Sequence, residues 1–495
     1  MSDPPAAYTD LLERVKRHSY LQDVSMTLRW DQQVMMPDGG APARSKQNSA
    51  LSATTHDIIT DDAVGDALAE LADTDLTPEQ AAVVRETRRN YEEAVRVPGD
   101  LVEEIAETSS EAQQIWQQAK AEDDFEQFAP TLETLRDLHR DRAEYIDPDR
   151  DPYQVMYEGY EPVLPLDLVE EVFADLREAL VPLIEDLTAT DADLATVPDG
   201  EWDEDTQMVL NREAAEVLGY DFDRGRLDTS PHPFTSGTQY DCRITTRIKP
   251  AHPLDALTAT IHEYGHASYQ LGLPQEHYGT PLGEPHWEIH ESQSRFWENH
   301  VGRTREFWEF FAPTFNDHLG IDMAPGEVYE AANRIYPENL IRVEADELTY
   351  HLHIILRSEV EKRFVSGDIT VDEIPQVWND KMAEYLGVRP ETDTNGCLQD
   401  IHWTHGFASF QSYTVGSVLA AQLDAAMRAD LDADVDKLIR SGEFEPLLAW
   451  MNENIHAHGK RYPADELIER ATGEPLTADY FIDYAEEKFG SLYGL

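Results

Sequence analysis

The sequence predicts a mainly α fold with one small β-sheet, and three observations carry that expectation. Apolar residues recur at helical spacing along most of the 495 residues. The period changes to two in one stretch, between Gly219 and Lys249. Directly after it, His252 to Gln270 reads His-Pro-Leu-Asp-Ala-Leu-Thr-Ala-Thr-Ile-His-Glu-Tyr-Gly-His-Ala-Ser-Tyr-Gln, a strong helix carrying two histidines four residues apart.

Taken in order, the first run extends from Ala6 to about Met36, with Tyr8, Leu11, Leu12, Val15, Leu21, Val24, Met26 and Leu28 at helical spacing. Pro37-Asp-Gly-Gly40 breaks it. Further helices are expected over 42–59, 62–73 and 77–97. Pro98-Gly99 then interrupts before an acidic amphipathic region reaching Ile146, whose inner face is marked by Trp116, Phe125, Phe128, Leu132, Leu135 and Leu138. Residues 1–146 carry no recognisable chemistry and read as a helical wall or lid. Asp147 to Pro152 is a turn, a helix is expected from Leu166 to Ala189, and a loop rich in Asp and Pro follows to Asp205. These breaks do not separate compositions, and one domain with a deep groove fits them as well as two lobes.

Between Gly219 and Lys249, Tyr220-Asp-Phe and Asp241-Cys-Arg-Ile-Thr-Thr-Arg-Ile alternate and carry β-branched residues, with Ser230-Pro-His-Pro-Phe234 between them. A small β-ribbon is expected here, leading through Pro250 and Pro253 into the histidine helix, so that an edge strand borders it. Such an edge can pair with an extended peptide. Pro253 suits the first helical position and Asp255 the first turn, while Gly272 and Pro274 stop the helix after Leu271. Leu254, Leu257 and Ile261 give it a buried stripe. Gly279 to Gly283 is a loop, and Glu284 to about Glu298 returns to helical spacing. From Pro325 onward the pattern is helical, with a long helix from about Tyr336 to Val365.

The charge is extreme: Lys+Arg is 39 against Asp+Glu 98, a formal net charge of −59 spread along the whole chain. That argues against nucleic acid as a partner and points to a salty cytoplasm, where salt screens the self-repulsion. No basic start, leader-like apolar run or membrane-length apolar stretch is found, so a cytoplasmic protein is expected. The two cysteines, Cys242 and Cys397, form no Cys-x-x-Cys pair and read as reduced buried thiols.

On a helix, His262 and His266 share one face and can reach one zinc ion, with Glu263 rotated aside to hold a water. That is the metallopeptidase arrangement. A catalytic zinc takes three protein ligands and keeps one open position. Downstream, Glu284, Glu288, Glu291 and Glu298 lie nearly on one helical face, and spacing alone does not choose among them. The metzincin pattern fails, because Tyr269 and Gly272 stand where it wants Gly and His.

Five ordered motifs make the sequence resemble the thermostable carboxypeptidase Taq family. They are Asp241-Cys-Arg243-Ile-Thr245, His262-Glu263-Tyr-Gly-His266, His290-Glu291-Ser-Gln293, Ile341-Arg342-Val-Glu-Ala345-Asp346 and Gly396-Cys-Leu-Gln399-Asp400-Ile-His402-Trp403. Flanking phrases such as Trp30-Asp-Gln-Gln-Val-Met-Met-Pro and Gly279-Thr-Pro-Leu-Gly extend the likeness over nearly the full chain. After Trp403 it departs from the usual Gly-Tyr-Phe-Pro, with Ala408-Ser-Phe-Gln-Ser-Tyr413 apparently one residue shorter. The resemblance implies Glu291 as third metal ligand, Glu263 as general base, a helical fold with a long active-site groove, a homodimer, and zinc with cobalt as substitute. It also implies a broad C-terminal exopeptidase. On this view 1–495 is a single catalytic domain, with the catalytic motifs in 219–420.

Within that chemistry, Tyr413 or His402 could donate to the oxyanion. Asp241 and Arg243 could hold each other or orient a zinc histidine. An exopeptidase must recognise a free carboxylate, for which an arginine fork is suited. Arg342 is the first candidate and Arg243 the second, against the plainer expectation that Arg342 pairs with Asp346 one helical turn on. A zinc oligopeptidase, or a peptide-binding protein without catalysis, are the competing readings.

Overall fold

The computed structural model describes residues 4–495. It is mainly helical with one three-stranded sheet, as the periodicities require. No helix in it is long and apolar enough to cross a membrane. The chain divides into two compact units. One comprises the chain up to Val95, Ala195–Ala332 and Ala420–Pro475; the other comprises Arg96–Leu194, Asn333–Leu419 and Leu476–Leu495.

In the first unit, α1 (Ala6–Val34) buries Leu11 and Val15 against Val64, Leu68, Leu71 and Val83 of the next helices. Beyond Val15 the expected stripe gives way. Val24 is exposed, and Trp30 is buried instead, with the guanidinium groups of Arg226 and Arg243 at 5.1 and 4.3 Å from its ring. Helix α2 (Glu204–Leu218) starts on an Asp203 cap and ends at Gly219, whose φ of 108° suits glycine.

The ribbon consists of β1 (Leu227–Thr229), β2 (Thr235–Gly237) and β3 (Cys242–Thr246). Strand β3 is central, parallel to β1 and antiparallel to β2. The expected strand at Tyr220 is absent; the Tyr220 hydroxyl donates to the Cys242 carbonyl at 2.6 Å and pins that turn against β3. Phe234 O accepts from Thr245 N and Thr238 N donates to Asp241 O, so alternation turns the backbone groups of Thr235 and Gly237 to the outer edge.

Helix α3 (Pro253–Gly272) packs on α2, β2 and β3, burying Leu257, Ile261 and Tyr264. Thr246 Oγ1 donates to Ala256 O at 2.9 Å and ties the sheet to the first turns of α3. Next comes α4 (Trp287–Arg295), which continues as a π-helix over Phe296–Gly302.

In the second unit, the acidic region forms two helices, Gly99–Glu122 and Ala129–Ile146, separated at Asp123, which takes a left-handed conformation. All six expected inner-face residues, from Trp116 to Leu138, are buried. The long helix expected from Tyr336 is shorter: α5 covers Thr349–Ser366, and only a single 3₁₀ turn, Arg342–Glu344, precedes it. Asp346 is the reason. Its carboxylate accepts from the backbone N–H groups of Tyr336, Leu348 and Thr349 at 2.8–3.0 Å, so it caps the start of α5 instead of lying within a helix.

Candidate metal centre and active site

The site begins with a glycine. A Cβ on Gly265 would sit 2.5 Å from Gln293 O and Ser294 Cα of α4, so only glycine lets α3 and α4 approach this closely. The helix-propensity cost of glycine, about 1 kcal/mol, is offset by contact that brings Glu291 over the histidines.

Glu291 Oε2 lies 3.3 Å from His266 Nε2 and 3.9 Å from His262 Nε2. With metal bonds near 2.0–2.1 Å, tetrahedral ligand atoms sit about 3.4 Å apart, and the observed separations are of that size. His262, His266 and Glu291 are the one such group of three metal-capable residues among the described residues. Two nitrogens and a carboxylate oxygen form a donor set that fits zinc.

The outer nitrogens explain the orientation. His262 Nδ1 is 2.9 Å from Glu298 Oε2, and His266 Nδ1 is 2.6 Å from His290 Nδ1. With both Nδ1 atoms engaged, both Nε2 atoms turn toward Glu291. Burial raises the Glu298 carboxyl, but Arg295 and Arg303 outweigh it and hold Glu298 below the usual carboxylate range, an anion. Burial, then the neighbouring His266, push His290 well below its ordinary value, so it stays neutral and can accept a hydrogen bond. Arg295 links the parts: its Nε is 3.0 Å from Glu291 Oε1 and its Nη1 is 3.1 Å from Glu298 Oε2.

The four downstream glutamates are therefore not equivalent. Glu284 precedes α4, because the residue before Pro285 is extended, and it pairs with Lys460 at 2.9 Å. Glu288 sits beside His286 at 3.6 Å. Glu298 falls in the π-helix, where the changed winding presents it to His262.

Glu263 is buried on α3, and Thr235 of β2 reaches its carboxylate at 2.6 Å. The strand leading into α3, β3, is thus central and packs on the helix from inside the sheet, and the edge strand that reaches Glu263 is β2. Asp241 and Arg243 hold each other, with Arg243 Nε and Nη2 on the two carboxylate oxygens at 2.9 and 2.6 Å. They do not orient a histidine of the cluster, since Glu298 and His290 occupy those positions.

Arg342, His402 and Tyr413 gather in the second unit. Arg342 is buried and pairs with Asp400, not Asp346: Nε and Nη2 each donate to one Asp400 oxygen at 2.8 Å. Gln399 Oε1 accepts from the Arg342 N–H at 2.8 Å. His402 Nδ1 lies 3.1 Å from Asp400 Oδ1, and the Arg342 guanidinium stands 6.0 Å from the Tyr413 ring. Burial raises the Asp400 carboxyl, but hydrogen bonds from Arg342 and His402 outweigh it and keep Asp400 ionised. Asp400 thus takes the Nε and Nη2 edge of the guanidinium, the fork expected for a free carboxylate, and Nη1 lies outside this pair.

Sequence reasoning missed Thr235, Arg295 and the supporting roles of Glu298 and His290. Pro285 was the signal against Glu284. Arg295, four residues beyond Glu291, was a detectable helix pair.

Known proteins place this geometry. Residues 10–489 match the family model of the carboxypeptidase Taq (M32) metallopeptidases. Thermostable carboxypeptidase 1 of Thermus thermophilus is 37% identical, covering 99% of this chain and 100% of its own. Carboxypeptidase 1 of Bacillus subtilis is 36% identical, covering 98% of each. The crystal structure of the M32 carboxypeptidase of Deinococcus radiodurans R1 superposes with a TM-score of 0.95 at 36% identity, over 99% of this chain and 100% of that one. Metallocarboxypeptidase 1 of Trypanosoma cruzi also gives a TM-score of 0.95, at 33% identity over 98% of this chain and 99% of its own. A full-length match to family model, relatives and solved structures, over a chain that assembles a His-His-Glu cluster, makes this chain a member of the carboxypeptidase Taq (M32) family of metal-dependent carboxypeptidases.

Proposed function

We propose that the chain removes single C-terminal residues from peptides, with broad side-chain tolerance, at a zinc ion held by His262, His266 and Glu291. One observation supports the ligand set most directly: both Nδ1 atoms are engaged, so two Nε2 atoms and Glu291 Oε2 converge on one point. When bound, zinc supplies Lewis acidity that brings the pKa of a coordinated water toward about 7; cobalt is the expected substitute.

Glu263 takes the proton of the attacking water and later delivers it to the leaving amine. His402 or Tyr413 donates to the oxyanion that forms at the scissile carbonyl. The outer edge of β2 offers the backbone groups of Thr235 and Gly237 to an extended peptide. Arg342, at Nη1, is the first candidate to meet the terminal carboxylate, with Arg243 second. We further read the protein as a cytoplasmic homodimer of a salt-rich cell, acting as one catalytic domain with residues 1–146 as a helical wall or lid; sedimentation at low and molar salt tests the dimer.

The decisive experiment is mass spectrometry of N-blocked peptides offered as free acids and as C-terminal amides. Free acids should shorten one residue at a time while amides resist. Internal fragments from both alike would make the protein an oligopeptidase, and intact peptides with metal bound would make it a peptide-binding protein.

A further inference from the structure

We propose that Thr235 is the positioning residue of the general base: its hydroxyl holds Oε2 of Glu263 and leaves Oε1 as the oxygen that takes the proton of water. The inference rests on reading Glu263 as that base.

Thr235 Oγ1 lies 2.6 Å from Glu263 Oε2 and 2.9 Å from the carbonyl oxygen of the same residue. A hydroxyl has one proton, and both neighbours are acceptors. The shorter distance is that of an O–H···O⁻ bond, which places the proton on the carboxylate side. It is the one hydrogen bond to the Glu263 carboxylate seen among the described residues. Glu263 itself is 5% exposed, so bulk water does not set its orientation.

The hydroxyl is itself fixed. Thr235 pairs with Ile244 of the central strand. Next to it, Phe234 N donates to Thr245 Oγ1 at 2.9 Å, and Ser230 Oγ bonds the same hydroxyl at 2.7 Å. Threonine is β-branched and restricted at χ1, so a strand tied to the sheet and a side chain of few rotamers together aim a single donor. A free glutamate has three side-chain torsions to order at the moment of reaction; here the ordering is done beforehand, which is what preorganised catalysis requires. The carbonyl at 2.9 Å gives the hydroxyl a second acceptor. When the water O–H proton has moved to Oε1, Thr235 can turn its own proton to that carbonyl; when Oε1 passes the proton to the leaving amine nitrogen, the hydroxyl returns to Oε2. No proton is gained or lost by Thr235 in the cycle.

The test compares Thr235→Val, which keeps the branched shape and loses the donor, with Thr235→Ser, which keeps the donor. Each metal-loaded variant is assayed for kcat and KM on one N-blocked peptide, for bound zinc per chain, and for melting temperature. Thr235→Val should lower kcat roughly 10- to 100-fold, with KM within about twofold and zinc content unchanged, and Thr235→Ser should recover most of kcat. Wild-type kcat in Thr235→Val overturns the proposal. So does an equal loss in both variants accompanied by lost zinc or a lowered melting temperature, since that is a structural effect. Glu263→Gln run alongside separates the two layers: wild-type turnover there removes the base assignment itself, whereas an inactive Glu263→Gln beside a normal Thr235→Val removes Thr235 alone.

Discussion

Oε2 of Glu298 lies 2.9 Å from Nδ1 of His262, seven residues along the chain from Glu291, the carboxylate that faces the same histidine from its other side. Removing Glu298 frees the imidazole to rotate. We expect Glu298→Ala to lower zinc affinity by about 10- to 100-fold, measured by competition with a chromophoric chelator. Glu291→Ala should lower it further, and wild-type affinity in Glu298→Ala would show the contact to be incidental. Dialysis of the wild type against a chelator should abolish activity and lower the melting temperature, with zinc or cobalt restoring both.

Gly265→Ala introduces a methyl 2.5 Å from the backbone of Gln293. The atoms it meets belong to main chain, not to a flexible side-chain end, so α4 must move. A loss of about 1–3 kcal/mol in urea unfolding, together with weaker zinc binding, is expected. A variant that binds zinc normally would mean the two helices need not touch at Gly265.

Arg342 and Asp400 are both buried and joined through two hydrogen bonds of 2.8 Å. Arg342→Ala strands the Asp400 carboxylate and should cost about 3–5 kcal/mol. The double variant Arg342→Met with Asp400→Leu should be the more stable of the two, because neither member of the pair is left charged without the other. Urea titrations of the single and double variants decide it; a double variant less stable than Arg342→Ala would show that Asp400 has other support.

Burial lowers His456 from 6.5 to about 3, and His139 to about 4 through burial and then the nearby Arg142. Both are depressed in the folded state, so between these values and 6.5 the unfolded chain binds protons that the folded chain does not. Each of these two groups therefore lowers stability as pH drops from 6.5, by up to about 1.4 kcal/mol per pH unit. Asp400, whose pKa is also lowered, acts below the ordinary carboxylate value and so in a more acidic window. Urea unfolding at pH 7, 6 and 5 should show the loss, and His456→Gln should flatten it. Parallel curves for variant and wild type would rule His456 out as a source.

A net charge of −59 repels itself in dilute buffer, and salt shortens the range of that repulsion. The melting temperature should climb from low to molar salt. A flat or falling curve would remove the argument for a salty cytoplasm.

Much of this was legible because it is written in periodicity. The buried face from Trp116 to Leu138 and the α3 helix follow from apolar spacing and from Pro253 and Gly272. What was hidden depends on details that spacing does not encode. The helix expected from Tyr336 is cut back because one side chain, Asp346, collects three backbone donors. A π-helix of seven residues leaves no repeat long enough to detect, yet it decides where Glu298 points. The contact of Thr235 with Glu263 joins residues 28 apart through a strand pairing, and no local pattern announces it.

The chain passes between its two compact units five times, since each consists of three alternating segments. A nascent polypeptide leaving the ribosome can therefore finish neither unit early. The first lacks Ala420–Pro475, and the second lacks Leu476–Leu495, until those segments have been made. Phe481, which lies against His351 with ring centroids 4.7 Å apart, is made long after its partner. Apolar faces laid down hundreds of residues earlier wait for the segments that cover them.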